Sequence, residues 1–481
     1  MFAELWIKII SAFLILFIFY LEWRLIISNF SRRHFIKLVS GVVGGTVLSS
    51  GFIGCMGSDG SGASFPNGYR FYRIKNGGDA VGTNNRSLEL DIFRGSVHLS
   101  DNNVITFDAA DSSKRVGIVQ IAVDFDSGTP KIEWENIPVM TNEYLDDGRY
   151  VGNFKAMDVN RQGSVAVDIV AKTPSGERIN HQLSGIYLQT DNGSFQPVLT
   201  YGQQLADNSV YTTGQLGDID LHEDNDIMFS SHLKYVDNEN MHGYGVLYLP
   251  AASLNSSELV MTTGDFVPFS NHAMETFGLI DMHDNGHYAV SGHATALGAA
   301  TNSNIDEPSS SALLVTGNVA TSETLLLGAA SDIGGGELTA PCFYGPRTTS
   351  TGDVYGITWD ETEDHMSLSL GADKIIASGD TTPLGNQALY LSTGTVSHDD
   401  SLFYSLSAID DEGHAVQELL HYNGAQHSVL LATGDTLSDG GAPVETIYFG
   451  GTTLQADSQD RIVFYCTFAD GTRSLVVGIP A

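Results

Sequence analysis

The sequence is poor in positive charge. Lys and Arg number 23 against 57 Asp and Glu in 481 residues, for a formal net charge of −34. A nucleic-acid-binding protein needs a basic surface to neutralise phosphates, and an anionic membrane surface attracts basic segments. The composition therefore excludes nucleic acid as a partner and excludes charge-driven binding to a membrane surface.

Cysteine is also scarce, and charged residues of either sign make up only 17% of the chain. Three Cys residues cannot form a disulfide framework. Gly is abundant, with 52 residues, and hydrophobic residues account for 42%. High Gly with low charge favours strands and turns, and the chain is long enough to bury a core. No composition value points to an activity.

Residues 1–54 are predicted to be a signal and membrane segment. An apolar stretch at 5–27 comes first. Residues 31–37 then read Ser-Arg-Arg-His-Phe-Ile-Lys, which resembles the twin-arginine export signal, with Arg32 and Arg33 as its two arginines and the signal running over 31–54. The motif lies far from the start, so either translation begins downstream or 5–27 is an additional membrane span.

The signal segment ends in Phe52-Ile53-Gly54-Cys55, which resembles a lipobox, although Phe52 departs from the usual aliphatic residue. We predict lipidation of Cys55; plain signal cleavage or an uncleaved anchor are the alternatives. Residues 55–65 are rich in Gly and Ser and are predicted to be a flexible tether. The predicted location is therefore periplasmic or cell-surface, anchored to the membrane by a lipid or by an N-terminal span.

The rest of the chain, 66–481, contains one pattern seven times: a polar turn, a residue that tolerates a positive φ, and an alternating apolar strand. Asn, Gly and Asp are the residues that best tolerate this conformation, and such a residue closes a common type of hairpin turn. Successive pivots are about 60 residues apart, except that the fifth interval is 48 residues. The predicted turn pivots are Asn103, Gly163, Asn225, Gly286, Gly352, Asp400 and Asp460.

Each repeat holds four short strands, which is the content of one propeller blade. A second landmark, usually Gly and often Gly-Asp, precedes each pivot by 21–26 residues: Gly78, Asn142, Gly202, Gly264, Gly328, Gly379 and Gly434. The last repeat lacks its outer strand, and residues 70–75 at the other end of the domain supply a candidate. The predicted fold is an all-β, seven-bladed β-propeller closed by its N-terminal strand. An open stack of repeats is the alternative.

The repeat resembles a family of bacterial exported proteins with tandem N-x-x-G-x-x-A-F motifs. The similarity is clearest at 160–167 and 283–290, where Val replaces the family's Phe, whereas the repeats around Gly352 and Asp400 are degenerate. The resemblance implies a propeller-like fold and an exported location, and it implies no activity.

His and acidic residues cluster before three pivots, and repeat symmetry would place them on one face of the disc. They could form a metal site, with Ca²⁺ as the candidate ion for the oxygen ligands; the alternative is that they cap their own turns. The carboxylates of the Gly-Asp landmarks could converge near another face of the disc, or they could stabilise the turns that follow their strands. The candidate metal ligands are His222, Asp224, His283, Asp284, His398 and Asp399.

No nucleophile-elbow, phosphate-loop or dinucleotide-binding motif occurs between a predicted strand and a predicted helix, which is the context that such motifs require. The main hypothesis is a non-catalytic binding or interaction module, expected to be a monomer, for an unidentified protein or glycan ligand. The competing hypothesis is an extracytoplasmic hydrolase or lyase with its site at one mouth of the propeller channel, which rests on analogy between folds.

Overall fold

The protein is described here from a computed structural model. It covers residues 68–481 except 84–85, 91, 146–147, 173–183, 191–192, 206–210, 236–237, 254–256, 264, 266–271, 284, 297–309, 320–322, 330–341, 361–364, 372 and 449–453. The predicted signal, with Arg32, Arg33 and Cys55, and the tether lie outside the described residues. Across the described ranges, no helix is long and apolar enough to cross a membrane.

The first three blades are antiparallel sheets whose strands pair in chain order. Blade 1 consists of β4 (Ile92–Leu99), β5 (Val104–Ala110), β6 (Val116–Asp124) and β7 (Lys131–Met140). Blade 2 consists of β8 (Tyr150–Val159), β9 (Val165–Lys172), β10 (Gly185–Gln189) and β11 (Phe195–Thr200). Blade 3 consists of β12 (Tyr211–Leu221), β13 (Ile227–Tyr235), β14 (Asn238–Leu249) and β15 (Glu258–Thr262).

Blades 4 to 6 repeat this arrangement. Blade 4 consists of β16 (His272–Met282), β17 (His287–Ala296), β18 (Ser310–Asn318) and β19 (Glu323–Ala329). Blade 5 consists of β20 (Cys342–Thr348), β21 (Val354–Asp360), β22 (His365–Leu370) and β23 (Asp373–Ala377). Blade 6 consists of β24 (Gln387–Val396), β25 (Leu402–Ile409), β26 (Ala415–Tyr422) and β27 (His427–Ala432).

Blade 7 joins the two ends of the domain. Its inner strand is split into β28 (Val444–Ile447) and β29 (Leu454–Ala456), followed by β30 (Ile462–Phe468) and β31 (Arg473–Pro480). The outer strand is β1 (Tyr69–Asn76), which pairs antiparallel with β31 from Tyr69 opposite Pro480 to Asn76 opposite Ser474. The prediction that the N-terminal strand completes the last blade is confirmed.

Two smaller elements lie outside the blade pattern. A hairpin of β2 (Ala80–Thr83) and β3 (Arg86–Glu89) follows β1 and contacts β7, the outer strand of blade 1. One turn of 3₁₀ helix, Ala251–Ser253, lies between β14 and β15. The repeat pattern did not predict the hairpin.

The first strands of the seven blades form a closed ring. Each contacts the first strand of the next blade in the order β4, β8, β12, β16, β20, β24 and β29, and β29 contacts β4 again. The fold is therefore the predicted seven-bladed β-propeller, closed around a central channel.

The hydrophobic core lies between blades. In the described part of the chain each of seven buried clusters joins two neighbouring blades. The cluster between blades 7 and 1, for example, combines Phe107 and Ile121 with Val463 and Tyr465. Because a blade is covered on both faces, its middle strands read as nearly continuous apolar runs: β6 is buried from Val116 to Val123, whereas β7 begins exposed.

The seven pivots have the conformation that their residue types indicate. In every case the pivot N–H donates to the carbonyl three residues earlier, which closes the turn between the first two strands of the blade. The φ angles are 66° at Asn103, 86° at Gly163, 66° at Asn225, 83° at Gly286, 85° at Gly352, 63° at Asp400 and 58° at Asp460.

Five of the seven residues of the second landmark adopt a positive φ. Positive φ angles occur at Gly78, Asn142, Gly202, Gly379 and Gly434. Gly264 lies outside the described residues. At Gly328 the strand β19 continues one residue further, to Ala329.

Replacing Gly286 by Val is expected to lower the free energy of unfolding by about 1–2 kcal/mol or more, because a β-branched side chain is strained at its φ of 83°. Chemical denaturation measures this loss. The matched change Asn103→Gly, at a pivot whose side-chain amide makes no hydrogen bond to a described residue, should be neutral or slightly stabilising. Equal stability of Gly286→Val and the parent would contradict the assignment of the pivot.

Candidate functional site

Seven residues at one repeat position lie on the innermost strands, around the channel axis and near the pivot turns. Each lies five residues before its pivot, close to the end of the innermost strand of its blade. We call this set the channel ring. Its members, from blade 1 to blade 7, are His98, Asp158, Asp220, Asp281, Arg347, Thr395 and Gln455.

Neighbouring members of the ring contact one another across blade boundaries. His98 Nδ1 lies 3.4 Å from Asp158 Oδ1. Arg347 Nη1 lies 3.0 Å from Asp281 Oδ1, and Thr395 Oγ1 donates to Gln455 Oε1 at 3.3 Å. The repeat symmetry thus places polar groups that are about 60 residues apart in the sequence into one narrow belt.

Several ring side chains also bond to the backbone of the next blade. Asp158 accepts the N–H of Leu221 at 2.7 Å, and Asp281 accepts the N–H of Thr348 at 2.6 Å. Arg347 Nε donates to the carbonyl of Gly394 at 2.6 Å. These groups therefore hold the inner strands of adjacent blades together as well as lining the channel.

Asp220 differs from the other ring carboxylates. It makes no hydrogen bond or ion pair to any residue that the structure describes, and it is only partly buried. Asp218, two residues earlier on the same strand, accepts the N–H of Ile280 at 3.1 Å. The channel ring thus contains one carboxyl group without a hydrogen-bond partner among the described residues, and two carboxyl groups that accept hydrogen bonds.

The crowding of acids in the ring changes their protonation. Burial, followed by the charges of Asp218 and Asp281, raises the pKa of Asp158 to about 7. Burial and then Asp158 and Asp281 raise the pKa of Asp220 well above its ordinary value. Burial, with the charge of Arg347 second, lowers the pKa of His98 to about 3, so its imidazole is neutral at pH 7. Protons shared by Asp158 and Asp220 therefore offset part of the negative charge of the cluster.

Asp158 should make the protein less stable at pH 8 than at pH 6. The folded protein keeps this proton up to about pH 7, whereas the unfolded chain releases it near the ordinary value of 3.8. Stability is therefore lost as the pH rises through 7, by about 1 kcal/mol between pH 6 and pH 8. Urea denaturation at both values measures this difference, and it should shrink in Asp158→Asn. An unchanged difference in that variant would assign the pH dependence to another group.

The predicted metal ligands do not assemble in the described part of the chain. His222 Nδ1 accepts the N–H of Asp224, whose side chain is 84% exposed, and His283 Nδ1 lies 3.2 Å from Asn285 Oδ1. His398 is exposed, and Asp399 accepts a hydrogen bond from the Ser401 hydroxyl at 2.6 Å.

Asp284, the sixth predicted ligand, lies outside the described residues. Among the residues described, no three His, Cys, Asp or Glu side chains are grouped so that they could hold a metal ion. The reason is that these polar side chains bond within their own turns, as Asx-type residues do.

The acids of the Gly-Asp landmarks also serve their turns. Each accepts the backbone N–H of the residue three positions earlier, at 2.7 or 2.8 Å. These acids are Asp79, Asp265, Asp380 and Asp435. Local hydrogen bonding of this kind leaves one fewer acceptor position for a ligand.

Two groups with nucleophilic chemistry lie outside the ring. Ser401 Oγ is 2.6 Å from His421 Nε2, but it also contacts Ser397 and Asp399 and is only 3% exposed. Cys466 is a free, fully buried thiol, and burial raises its pKa above the ordinary value. A nucleophile has to be accessible to its substrate, so neither group stands out as catalytic.

A shallow groove of about 590 Å³ lies between blades 5 and 6. Its walls include Ile375 and Asp380 from one blade and Gln426 and His427 from the other. His427 is engaged, because its Nδ1 lies 2.8 Å from the Tyr404 hydroxyl. The groove is a second concave surface, with less concentrated charge than the ring.

Sequence reasoning missed the channel ring, although a signal for it is present. Three consecutive repeats carry Asp at the same offset from the pivot, at 158, 220 and 281. Aligning the repeats on their pivots and comparing every column would have revealed this coincidence. The polar residues that are most conspicuous in the sequence lie in the turns themselves, where they have a local role.

No family model matches the sequence, and no curated protein matches it. Similar solved structures include the β-propeller domain of the Trilobed protease from Pyrococcus furiosus, at 10% identity and a TM-score of 0.40, covering 80% of this chain and 94% of that one. Polysaccharide lyase Uly1 is similar at 9% identity and a TM-score of 0.42, covering 81% and 90%. The Dos1 propeller is similar at 9% identity and a TM-score of 0.34, covering 85% and 94%. These similarities concern the fold alone.

Proposed function

We propose that the protein is an exported, membrane-tethered propeller that binds a ligand at the channel ring and does not transform it. The observation that supports the proposal is a difference in hydrogen bonding among the acids of the channel ring. Asp158 uses one oxygen and Asp281 uses both to bond the next blade, whereas Asp220 makes no hydrogen bond to a described residue. One open acid among engaged neighbours suits recognition of a polar or charged group.

This arrangement favours binding over hydrolysis. Hydrolysis by paired carboxyl groups needs one acid to protonate the leaving group and a second to act as base or nucleophile. In the described part of the ring, Asp281 is held by both Arg347 and the N–H of Thr348. Both of its oxygens are therefore engaged, so neither is well placed to exchange a proton with a substrate or to attack it.

An extracytoplasmic hydrolase or lyase at the channel mouth is the second candidate. One observation favours it: Asp158, with a pKa of about 7, lies in the same cluster as Asp281, whose carboxylate lies 3.0 Å from the Arg347 guanidinium. A carboxyl group with a raised pKa close to a second carboxyl group is a feature of acid–base sites. Release of a product from any ligand that binds would establish this alternative.

The binding role is tested with a panel of ligands. Metal ions, amines, amino acids and sugars are added to the full chain, and the melting temperature is compared between the parent and Asp220→Asn. A ligand that stabilises the parent but not the variant, and is recovered unchanged by mass spectrometry, supports the proposal. Turnover of that ligand would overturn the non-catalytic role, and the absence of any Asp220-dependent ligand would overturn the site.

The export role rests on the motif at 31–37 and on Cys55. Changing Arg32 and Arg33 together to Lys is expected to leave unprocessed protein in the cytoplasm, because the twin-arginine pair is the recognised feature of such signals. Cell fractionation and immunoblotting measure the distribution, with Arg24→Lys, outside the motif, as the control. Continued export of the double variant would indicate another route. Cys55→Ser should separately abolish lipid labelling if this residue is the anchor.

A further inference from the structure

The groove between blades 5 and 6 has the size of a small-ligand site. Its volume is about 590 Å³, and such sites occupy about 300–1,000 Å³. The lining comes from the outer strand of blade 5, from the turn that links the two blades and from the segment that leads into the outer strand of blade 6. It includes Ile375, Thr381, Thr382, Pro383, Gln426 and His427.

A buried carboxyl group lies directly behind this lining. Glu418 is 0% exposed, and its Oε1 accepts hydrogen bonds from the Thr382 hydroxyl and the Asn386 amide, each at 2.8 Å. Its Oε2 is buried without a hydrogen-bond partner in the described part of the chain. Glu418 pairs with Leu406, a member of the core cluster between blades 5 and 6, and paired residues point to the same face of a sheet. The carboxyl group therefore lies on the face of blade 6 that is turned toward blade 5.

The position of Glu418 is charged in this blade and in no other. In each blade, the equivalent residue of the third strand pairs with the residue six positions after the pivot. From blade 1 to blade 7 these equivalent residues are Gly117, Gly185, Gly245, Leu313, Ser367, Glu418 and Ser474. Blade 6 thus departs from the repeat by placing an ionisable side chain between two blades.

The partner of Glu418 departs from the repeat as well. Thr382 lies three residues after its landmark Gly379 and is only 4% exposed. Its counterparts among the described residues are all buried and aliphatic: Val81, Leu145, Leu205 and Leu437. Burying a carboxyl oxygen without a partner costs free energy. Departures with such a cost are concentrated at functional sites.

Glu418 fixes the turn that forms part of the lining. Its two partners, Thr382 and Asn386, are also joined by their backbones, since the N–H of Thr382 donates to the carbonyl of Asn386 at 2.8 Å. Thr381 precedes this closed turn and lines the groove. A wall that is already ordered loses little conformational freedom when a ligand binds.

The lining offers hydrogen bonds and no unpaired charge. Asp380 is paired with Lys374, 3.0 Å away. Burial lowers the pKa of His427 below its ordinary value of 6.5, so its ring is neutral at pH 7. The side chains of Thr381 and Gln426 are exposed and make no hydrogen bond to a described residue. An uncharged ligand with several hydroxyl groups matches these side chains better than an ion does.

Apolar surface in the groove is limited. Ile376 is only 3% exposed and Ile375 is partly buried, whereas Pro383 is exposed. An apolar ligand would therefore bury little surface here. A sugar ring needs only a small apolar contact beside its hydrogen bonds.

We infer that this groove binds an uncharged saccharide. The Gln426 amide and the Thr381 hydroxyl exchange hydrogen bonds with its hydroxyl groups, and Pro383 contacts the C–H face of a ring. Glu418 is a positioning residue, because it acts on the ligand through the turn that it holds. The groove lies outside the channel ring, so this inference goes beyond the function proposed above and does not depend on it.

Isothermal titration calorimetry on the full chain tests the ligand class. The uncharged probes are cellobiose, maltose, lactose and N,N′-diacetylchitobiose. The charged probes are the cationic glucosamine disaccharide and the anionic digalacturonic acid. At least one uncharged disaccharide should bind, and it should bind more tightly than both charged probes. Absence of binding by all four uncharged probes, or tighter binding of a charged one, would overturn the inference.

Variants of exposed residues locate the site. Gln426→Ala and Thr381→Val should each weaken binding about fivefold or more, because each removes a hydrogen bond to the ligand. Gln196→Ala, which changes an exposed Gln on the outer strand of blade 2, is the matched control and should bind like the parent. Circular dichroism verifies that each variant is folded. Undiminished binding by both folded groove variants would refute the site.

Asp220→Asn separates the groove from the channel ring. If this variant weakens sugar binding and Gln426→Ala does not, the sugar belongs to the channel ring, so the inference is wrong and the binding role proposed above is supported. If binding depends on Gln426 and not on Asp220, the groove is the site, whatever the outcome for the ring.

Two changes at Glu418 test its positioning role. Glu418→Leu removes the acceptor for Thr382 and Asn386 and should weaken binding about fivefold, whereas Glu418→Gln keeps an acceptor oxygen and should stay within about twofold of the parent. A merely structural role would lower the melting temperature and leave the affinity of the folded protein unchanged. Equal affinity of folded Glu418→Leu and the parent would therefore exclude the positioning role.

Discussion

Replacing Phe71 by Ala is expected to lower the free energy of unfolding by about 3–5 kcal/mol. Phe71 lies on β1, the strand that closes blade 7, and its side chain is fully buried. Its ring lies 5.9 Å from that of Phe464 in an edge-to-face arrangement, and it packs where Gly478 leaves space on the neighbouring strand. The truncation removes this contact and leaves a cavity at the joint between the two ends of the domain. Chemical denaturation followed by circular dichroism measures the loss.

Arg70→Ala is the control for this change. Arg70 is exposed on the same strand, so its truncation should alter stability by no more than about 0.5 kcal/mol. The contrast separates the buried ring from a general weakening of β1. If Phe71→Ala were as stable as the parent, β1 would not be an integral part of blade 7, and the closed architecture would be in doubt.

Replacing Arg461 by Met is expected to lower the free energy of unfolding by a similar amount, about 3–5 kcal/mol, because it leaves a buried carboxylate without its partner. Arg461 Nε lies 2.5 Å from Asp457 Oδ2, and the two side chains are only 5% and 0% exposed. The guanidinium also lies 4.3 Å from the ring centre of Phe125 in blade 1, so the pair sits at the interface that closes the propeller.

The pH dependence of the Arg461→Met variant provides a second readout. Burial already raises the pKa of Asp457, and the hydrogen bond and charge of Arg461 act in the opposite direction. Without Arg461 the carboxyl group should hold its proton to higher pH, so the variant should regain stability as the pH falls. Denaturation curves at pH 5 and pH 8 test this expectation. An identical loss at both values would indicate that lost packing on Phe125, rather than the unpaired charge, dominates.

A matched pair in blade 1 serves as the control. Arg115 and Asp111 have the same spacing in sequence and lie 2.7 Å apart, but the Arg115 side chain is 43% exposed. Arg115→Met should cost no more than about 1 kcal/mol, since solvent screens the exposed guanidinium and the Asp111 carboxylate keeps the hydrogen bonds from the Ser113 hydroxyl and the Arg115 backbone N–H.

The blade boundaries could be predicted from the sequence because they depend on interactions between residues that are close in the chain. At Asn103 or Asp460, the residue type, the polar residues before it and the strand after it all act within one turn, and the observed φ angles agree with them. Gly328 shows the limit of such reasoning: a Gly after an aliphatic run matches the landmark, yet pairing within blade 4 extends β19 through it. Among the described residues the candidate metal ligands are not grouped, for a related reason: polar turn residues such as Asp399 form hydrogen bonds within their own turns.

The seven repeats, their turns and the strand at 70–75 that completes the last blade were predictable from the sequence, because each of these depends on local propensity or on a shared period. The contact of β29 with β4 and the pairing of His98 with Asp158 became visible only in the folded protein. Closure of the ring of blades places residues that are about 60 positions apart in the sequence next to one another in a buried region. The pKa shifts and the open acceptors of the channel ring exist only there, because burial and charge act through space rather than along the chain.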